Sequence, residues 1–460
     1  MLSLGVEFGS AQYTDMLDFF QTNGKEPKGS LVLSGKSLYG MSQFGGSHDS
    51  GCVFSIHTDG TGYKDMINLN SKTGSYPWGS FKLMGSKLYG MTAGGGRHAD
   101  GNIFYVDTNG GEYKDLFDFN DTNGHWPYGD LTFVGKKMYG MTDNGGASSH
   151  GTIFSIDTDG TGFVDMFDFN STDGAFPGGS LTYLNGRLYG MTTSGGAHGY
   201  GVVFRIDTDG SGFTDLLSFN NQSSPQGALP QGSLVLLGNK FYGMTDEGGP
   251  SSSGLIFSID TDGTGYKDLA NFDFNNGANP RGDLTLSGDK FYGMVSQGGP
   301  NLYGLIFSID TNGTGYTIIY NFVSSTGNVP WGNLTMTHDS MFGMTQQGGH
   351  NSFYNDGVIF GYLDTNISTA INTISPGADL INIYPNPSKG AFMVQMKNEG
   401  GRIKNIEVYN VLGEKVYSQF TTHNSPFTID LSSQPNGFYF YRVLNEDGGI
   451  AGEGKLVIQK

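Results

Sequence analysis

The chain has one cysteine in 460 residues, Cys52, so no disulfide can form within it and stability has to come from a core. It is poor in positive charge: 25 lysines and arginines face 43 aspartates and glutamates, a net charge of −18. Such an acidic surface disfavours nucleic acid, anionic lipid and strongly anionic polysaccharide as partners. No run of eighteen apolar residues occurs, so no transmembrane segment is expected, and strong helix formers never persist for ten residues. Tryptophan appears only three times, at Trp78, Trp126 and Trp331. Gly-x-Ser-x-Gly, His-Glu-x-x-His and a phosphate loop are missing as well, so no familiar catalytic order is present.

Glycine, by contrast, is abundant, with 76 residues, and a repeat places much of it. Seven copies of a Tyr/Phe-Gly-Met…Gly-Gly segment occur, from SLYGMSQFGG to SMFGMTQQGG. Their landmark glycines are Gly40, Gly90, Gly140, Gly190, Gly243, Gly293 and Gly343. The spacing is 50 with one step of 53, where SSPQG is inserted at Ser223 to Gly227. A period this long and regular means one supersecondary unit stacked many times. Each unit holds four Val/Ile/Phe/Tyr-rich runs, in the third copy YKDLFDFN, DLTFVG, KMYGMT and GTIFSID, separated by turn residues such as Asn185-Gly186 and Asp157 to Gly162. These are strands joined by hairpins. The array begins with a lone first run, Tyr13 to Phe20, and ends with a fourth run, Gly357 to Asn366. Every run type therefore occurs seven times only if the two ends complete one unit together, which is how a closed ring removes its exposed edges. An open solenoid would instead need polar caps. The expected fold is all-β: a seven-bladed β-propeller over 13–366, with four-stranded blades and a ring closed by the N-terminal strand.

The LYGMTxxGG segment followed by an IFSID strand resembles the kelch type of propeller repeat, although the Tyr-Asp and Trp positions of kelch units are not reproduced. It is closer to a bacterial tandem repeat of secreted proteins with the pattern GxLxxxGxxLYGMTxxGG…GxxF…DG, which implies an architecture and no particular activity. After a Ser/Thr/Asn-rich linker, 367–378, the segment 379–460 reads as a small immunoglobulin-like β-sandwich. Its Tyr-Pro-Asn-Pro-x-x-Gly (Tyr384 to Gly390), Val-Tyr-Asn-x-x-Gly (Val408 to Gly413), Asp-Leu-Ser-x-x-Pro-x-Gly-x-Tyr (Asp430 to Tyr439) and terminal Lys-Leu-Val-Ile-x-Lys resemble the type A sorting domain of type IX secretion cargo. That resemblance implies the secretion machinery as a partner and a secreted or outer-membrane-surface location in a Gram-negative bacterium. Residues 1–12 resemble the last part of an export signal. The tail from Asp379 carries eight basic and eight acidic residues, so the net charge falls on the repeats.

If YKDLFDFN is outermost, as the kelch resemblance implies, the Pro-x-Gly and Gly-Gly loops share one face. The Pro-x-Gly frame recurs in all seven copies while its central residue changes: Lys28, Trp78, Tyr128, Gly178, Gln231, Arg281 and Trp331. A constant frame with a variable insert suits a binding surface. Lys28, Trp78, Trp126, Tyr128, Gln231, Arg281 and Trp331 are the candidate binding residues. Their aromatic members form an arc that either meets a sugar or protein ligand or covers the inner strands. Five histidines (His48, His98, His150, His198, His350) lie in Gly-Gly loops of different blades and read as polar loop residues, without a metal. The Asp-x-Asp-Gly segments read as Asx turns rather than calcium loops. The sequence therefore predicts a monomeric recognition module for a glycan or surface protein, without cofactor. The alternatives are a carbohydrate-active lyase or hydrolase, for which Asp143, Asp246, Glu247 and His125 would be the acid-base groups, and a structural or adhesion protein.

Overall fold

A computed structural model describes residues 12–220, 226–337, 339–350, 355–363, 381–386, 388–396, 403–410, 415–420, 427–445 and 450–460. The export-signal segment before Gln12, the linker 367–378 and most of the SSPQG insertion lie outside the described residues. The chain forms two compact units, Met1–Ala370 and Ile371–Lys460, and all of the described regular structure is β.

Each antiparallel sheet takes the last three runs of one copy and the first run of the next, in chain order. Around the third copy these are Thr132–Val134, Lys137–Thr142 and Thr152–Asp157, with Val164–Asp168 from the fourth. Six sheets have this four-stranded form, and a seventh combines strands from both ends of the array. The two-residue turn Asn185-Gly186, with φ of 48° and 82°, has the two positive φ values of a type I′ hairpin. At the same end of each sheet, the third and fourth strands are joined by a turn in which, for example, Asp159 Oδ1 accepts hydrogen bonds from the Thr161 amide (2.9 Å) and hydroxyl (2.7 Å). Asp59, Asp209 and Asp262 do the same. These are Asx turns.

The landmark glycine has a packing reason: a Cβ at Gly40 would lie 2.5 Å from the ring of Phe54 on the neighbouring strand. That ring fills the interface between sheets. Seven buried clusters join successive sheets. One, for example, unites Tyr89, Met91 and Ile103 with Leu131, Met138 and Phe154. The last joins Phe342, Met344 and Ile359 to Phe19, Leu31, Leu38 and Phe54, so the series returns to its start. Burying a Phe, Ile or Leu contributes about 1.5–3 kcal/mol each, which is how a chain without disulfides can hold this architecture. Gln12–Asp18 pairs antiparallel with Val358–Leu363, from Gln12 opposite Leu363 to Asp18 opposite Val358. Tyr13 stacks on Tyr320 at 4.4 Å.

In the second unit, Ile381–Tyr384, Ala391–Met396 and Phe427–Asp430 form one sheet. Ile403–Tyr409, Lys415–Phe420, Gly437–Asn445 and Ile450–Ile458 form another. Alternate residues of both sheets, among them Phe392, Val394, Ile406, Val408, Ile429 and Leu456, share one core. The Tyr-Pro-Asn-Pro segment is tied to the last strand: Asn386 Nδ2 donates to the Lys455 carbonyl (2.7 Å) and its Oδ1 accepts from the Val457 amide (2.8 Å).

Candidate functional site

The site is built by one loop repeated seven times, Pro-x-Gly followed by Ser, Asp or Asn, which leads into the short first strand of each four-stranded sheet. The glycine is required by close approach. A Cβ at Gly29 would lie 2.2 Å from the Gly79 carbonyl oxygen, and one at Gly129 would lie 2.1 Å from that of Gly179. The same contact continues through Gly232, Gly282 and Gly332, whose Cβ would lie 2.5 Å from the Gly29 oxygen. Seven backbones thus touch in a closed cycle around a central opening.

The next residue of each loop reinforces that cycle. The Ser30 amide donates to Ser80 Oγ (2.8 Å), Ser80 to Asp130 Oδ1 (2.6 Å), Asp130 to Ser180 Oγ (2.8 Å) and Ser180 to Ser233 Oγ (2.9 Å). Ser233 donates to Asp283 Oδ1 (2.6 Å), and Asn333 to Ser30 Oγ (2.9 Å). At six of the seven positions a short polar side chain therefore caps the amide of its neighbour. Two members are acids, and they share a cation: Lys82 Nζ lies 3.4 Å from Asp130 Oδ2. Asp130, with a contribution from Asp283, raises the Lys82 pKa. Burial raises that of Asp283, and the field of Asp130 adds to it. This throat cluster of Lys82, Asp130 and Asp283 is absent from the sequence-based candidates. Its only signal is a departure from the repeat: Asp where Ser is usual, and Lys where four other repeats have Thr132, Thr182, Thr285 and Thr335.

Above the throat opens a cavity of about 240 Å³, lined by all seven central residues of the Pro-x-Gly frames and by Asp143, Phe176 and Thr193 from the loops around them. Six of the seven candidate residues, Lys28, Trp78, Tyr128, Gln231, Arg281 and Trp331, lie on its wall. Trp126 does not. It holds a positive φ of 57°, as Tyr76 and Phe176 do at the same place in their repeats. Its side chain is 45% exposed, with its ring 6.4 Å from that of Tyr128 and 4.8 Å from that of His125.

The aromatic members touch. Trp78 lies 4.3 Å from Tyr128 and meets Trp331 edge-on at 5.6 Å. Between the two tryptophans sits the Lys28 ammonium, 3.3 Å from the Trp78 ring centroid and 4.8 Å from that of Trp331. Both tryptophans are half-buried, so they serve as wall and as packing for each other. Lys28 is only 9% exposed. Burial lowers its pKa to about 8, Arg281 adds to the lowering and Glu26 opposes it. Arg281 lies 4.4 Å from the Trp331 centroid, and its Nε pairs with Asp246 Oδ1 at 3.1 Å. Asp143 Oδ2 accepts from the Asn144 side-chain Nδ2, and burial pushes its pKa up to about 7. Burial, with the charge of Asp143, raises Tyr128 to about 12.

The other proposed acid-base groups lie apart. Asp246 is held by Arg281 and by burial, which raises its pKa. Glu247 is exposed, and His125 pairs with Asp121 at 3.0 Å. Among the described residues one histidine meets two carboxylates: His350 Nδ1 is 2.8 Å from Asp15 Oδ2 and 3.7 Å from Asp18 Oδ2. Asp18 also accepts the His350 amide (3.0 Å), as Asp118 and Asp168 accept Arg97 and Ala147. The cluster therefore repeats a loop clamp present in other repeats.

The solved structures similar to this chain match it at low identity. A fungal alcohol oxidase of the AA5 family, in complex with copper, is 12% identical over 98% of this chain and 99% of that chain, with a TM-score of 0.50. The extracellular domain of a hybrid two-component system from B. thetaiotaomicron is 12% identical over 97% of this chain and 56% of that one, with a TM-score of 0.48. At 12% identity the likeness to the oxidase is one of fold alone. No curated protein matches the chain, and among the described residues no helix is long and apolar enough to cross a membrane. The Gloeobacter/Verrucomicrobia repeat matches residues 6–197, 134–273 and 226–389. The secretion system C-terminal sorting domain matches 382–459, which implies contact with the type IX machinery. The chain therefore belongs to the Gloeobacter/Verrucomicrobia repeat family, and its sorting domain makes it a secreted or cell-surface protein exported by a type IX secretion system.

Proposed function

We propose that the repeats form a closed seven-bladed propeller acting as an extracellular recognition module, which binds a glycan or surface protein at the mouth lined by the Pro-x-Gly residues. The observation that carries this reading is the continuous wall of Trp331, Lys28, Trp78 and Tyr128 along one side of a single cavity. Aromatic faces flanked by polar groups suit sugar rings. The tail serves as an address, separate from the binding activity. The test is Trp78→Ala combined with Trp331→Ala, assayed for retention on a glycan and surface-extract panel. Losing a central aromatic contact costs about 2 kcal/mol or more, so retention should disappear. Retained binding would move the recognition surface elsewhere.

One observation favours a second reading, a carbohydrate-active enzyme in the same mouth: Asp143, with a pKa near 7, is suited to hold a proton at neutral pH and donate it. Chain shortening of any bound glycan that Asp143→Asn abolishes would establish it. Intact glycan after prolonged incubation leaves recognition alone.

A further inference from the structure

The charges around the cavity divide unequally. Arg281 is paired with Asp246, Asp143 with the Asn144 side-chain Nδ2, Asp130 with Lys82 and the Ser80 amide, and Asp283 with the Ser233 amide. Lys28 differs. It is nine-tenths buried and lines the cavity, yet its ammonium meets two aromatic faces and, among the described residues, no hydrogen-bond acceptor or carboxylate partner. Glu26, the acid of its own loop, accepts instead from Gln346 Nε2 at 3.0 Å. The two ring faces attract the ammonium, but they leave its N–H donors, open to the cavity, without an acceptor from the protein. The imbalance is lifted when an anionic group enters the cavity and accepts a charge-assisted hydrogen bond.

We infer that the mouth selects a sugar residue bearing a carboxylate, which docks on the Lys28 ammonium while the ring lies against the Trp78 and Trp331 wall. This rests on the recognition role proposed above. A sugar fits better than an acidic peptide because the side opposite the tryptophans offers space and polar groups. Gly178 contributes no side chain, and Gln231 and Thr193 supply an amide and a hydroxyl. The cavity, at about 240 Å³, is smaller than a typical drug-sized pocket and suits one residue of a glycan. The net charge of −18 repels a dense polyanion but not a single carboxylate held at short range.

The full chain would be titrated with a glucuronic-acid disaccharide, its methyl ester, the corresponding neutral glucose disaccharide and an acidic hexapeptide. The acid is expected to bind at least about tenfold more tightly than the ester or neutral sugar. Lys28→Met, which keeps the aliphatic stem, should erase that preference, and Lys28→Arg should restore part of it. Equal binding of acid and ester, or a preference that survives Lys28→Met, overturns the inference while leaving the recognition role intact. Binding of the hexapeptide but of no sugar overturns the assignment to glycans. Failure of every sugar, of the hexapeptide and of the surface-extract panel to bind overturns both the inference and the recognition role.

Discussion

Mouth and throat are made by consecutive residues of the same seven loops, yet they obey opposite rules. The central residue of Pro-x-Gly ranges from Gly178 to Trp331, whereas the glycine after it is constant and the next residue is Ser, Asp or Asn throughout. The difference is one of free space. At Gly178 an added Cβ would find its nearest atoms at 3.5 Å, whereas at Gly179 it would meet the Gly232 carbonyl oxygen at 2.2 Å. Backbone packing dictates one ring of residues, and the adjacent ring is left free to vary.

The sharpest way to break this contrast is to substitute those two neighbours. Gly179→Ala should lower stability by about 3 kcal/mol or more, or prevent folding, because two backbones must separate. Gly178→Ala should melt within a few degrees of the parent. Equal melting temperatures for the two variants would refute the glycine cycle as the element that sets the opening.

A smaller effect is expected at the throat. Lys82→Met leaves Asp130 and Asp283 facing each other without their cation, which should cost about 1 kcal/mol at neutral pH. The loss should shrink as pH falls and the carboxylates protonate; for Asp283 this begins at a higher pH than usual, because burial and Asp130 raise its pKa. Chemical denaturation at several pH values would measure it. A penalty independent of pH would mean that Lys82 acts by packing.

The smallest effect concerns the mouth, where stability and binding should respond to pH in opposite senses. The Lys28 pKa is lowered to about 8 by burial, with Arg281 adding to the shift and Glu26 opposing it. Between about pH 8 and the ordinary lysine pKa near 10.4, the unfolded chain holds a proton that the folded chain lacks. This group therefore adds stability as pH rises through that window. Binding of a carboxylate should fall over the same window. Lys28→Met should remove both trends.

Much of the mouth was legible in the sequence because a recurrent frame marks its positions: Lys28, Trp78, Tyr128, Gly178, Gln231, Arg281 and Trp331 each follow one of seven prolines. Trp126 stands at another offset, just before Pro127, and is not on the cavity wall; composition alone groups it with the other tryptophans. The throat was not legible. Lys82, Asp130 and Asp283 come from the second, third and sixth sheets, and only the curvature of the closed array brings them together. The four-run unit and the shared role of the chain's ends could be read because strand periodicity and turn residues are local signals. The unpaired state of Lys28 could not, because it depends on where Glu26 and Asp246 find other partners.

The pairing of Gln12–Asp18 with Val358–Leu363 also orders events in time. Six sheets can form from neighbouring sequence as soon as each repeat is available, but the seventh waits for a strand from the opposite end of the array. Loop closure over so long a span is entropically costly and slow, so the last sheet should assemble last. Until then, the outer edge of Val358–Leu363 stays open to pairing with another chain. For a protein that crosses membranes before it matures, the vulnerable interval is that between the arrival of its final repeat and the return of its first strand.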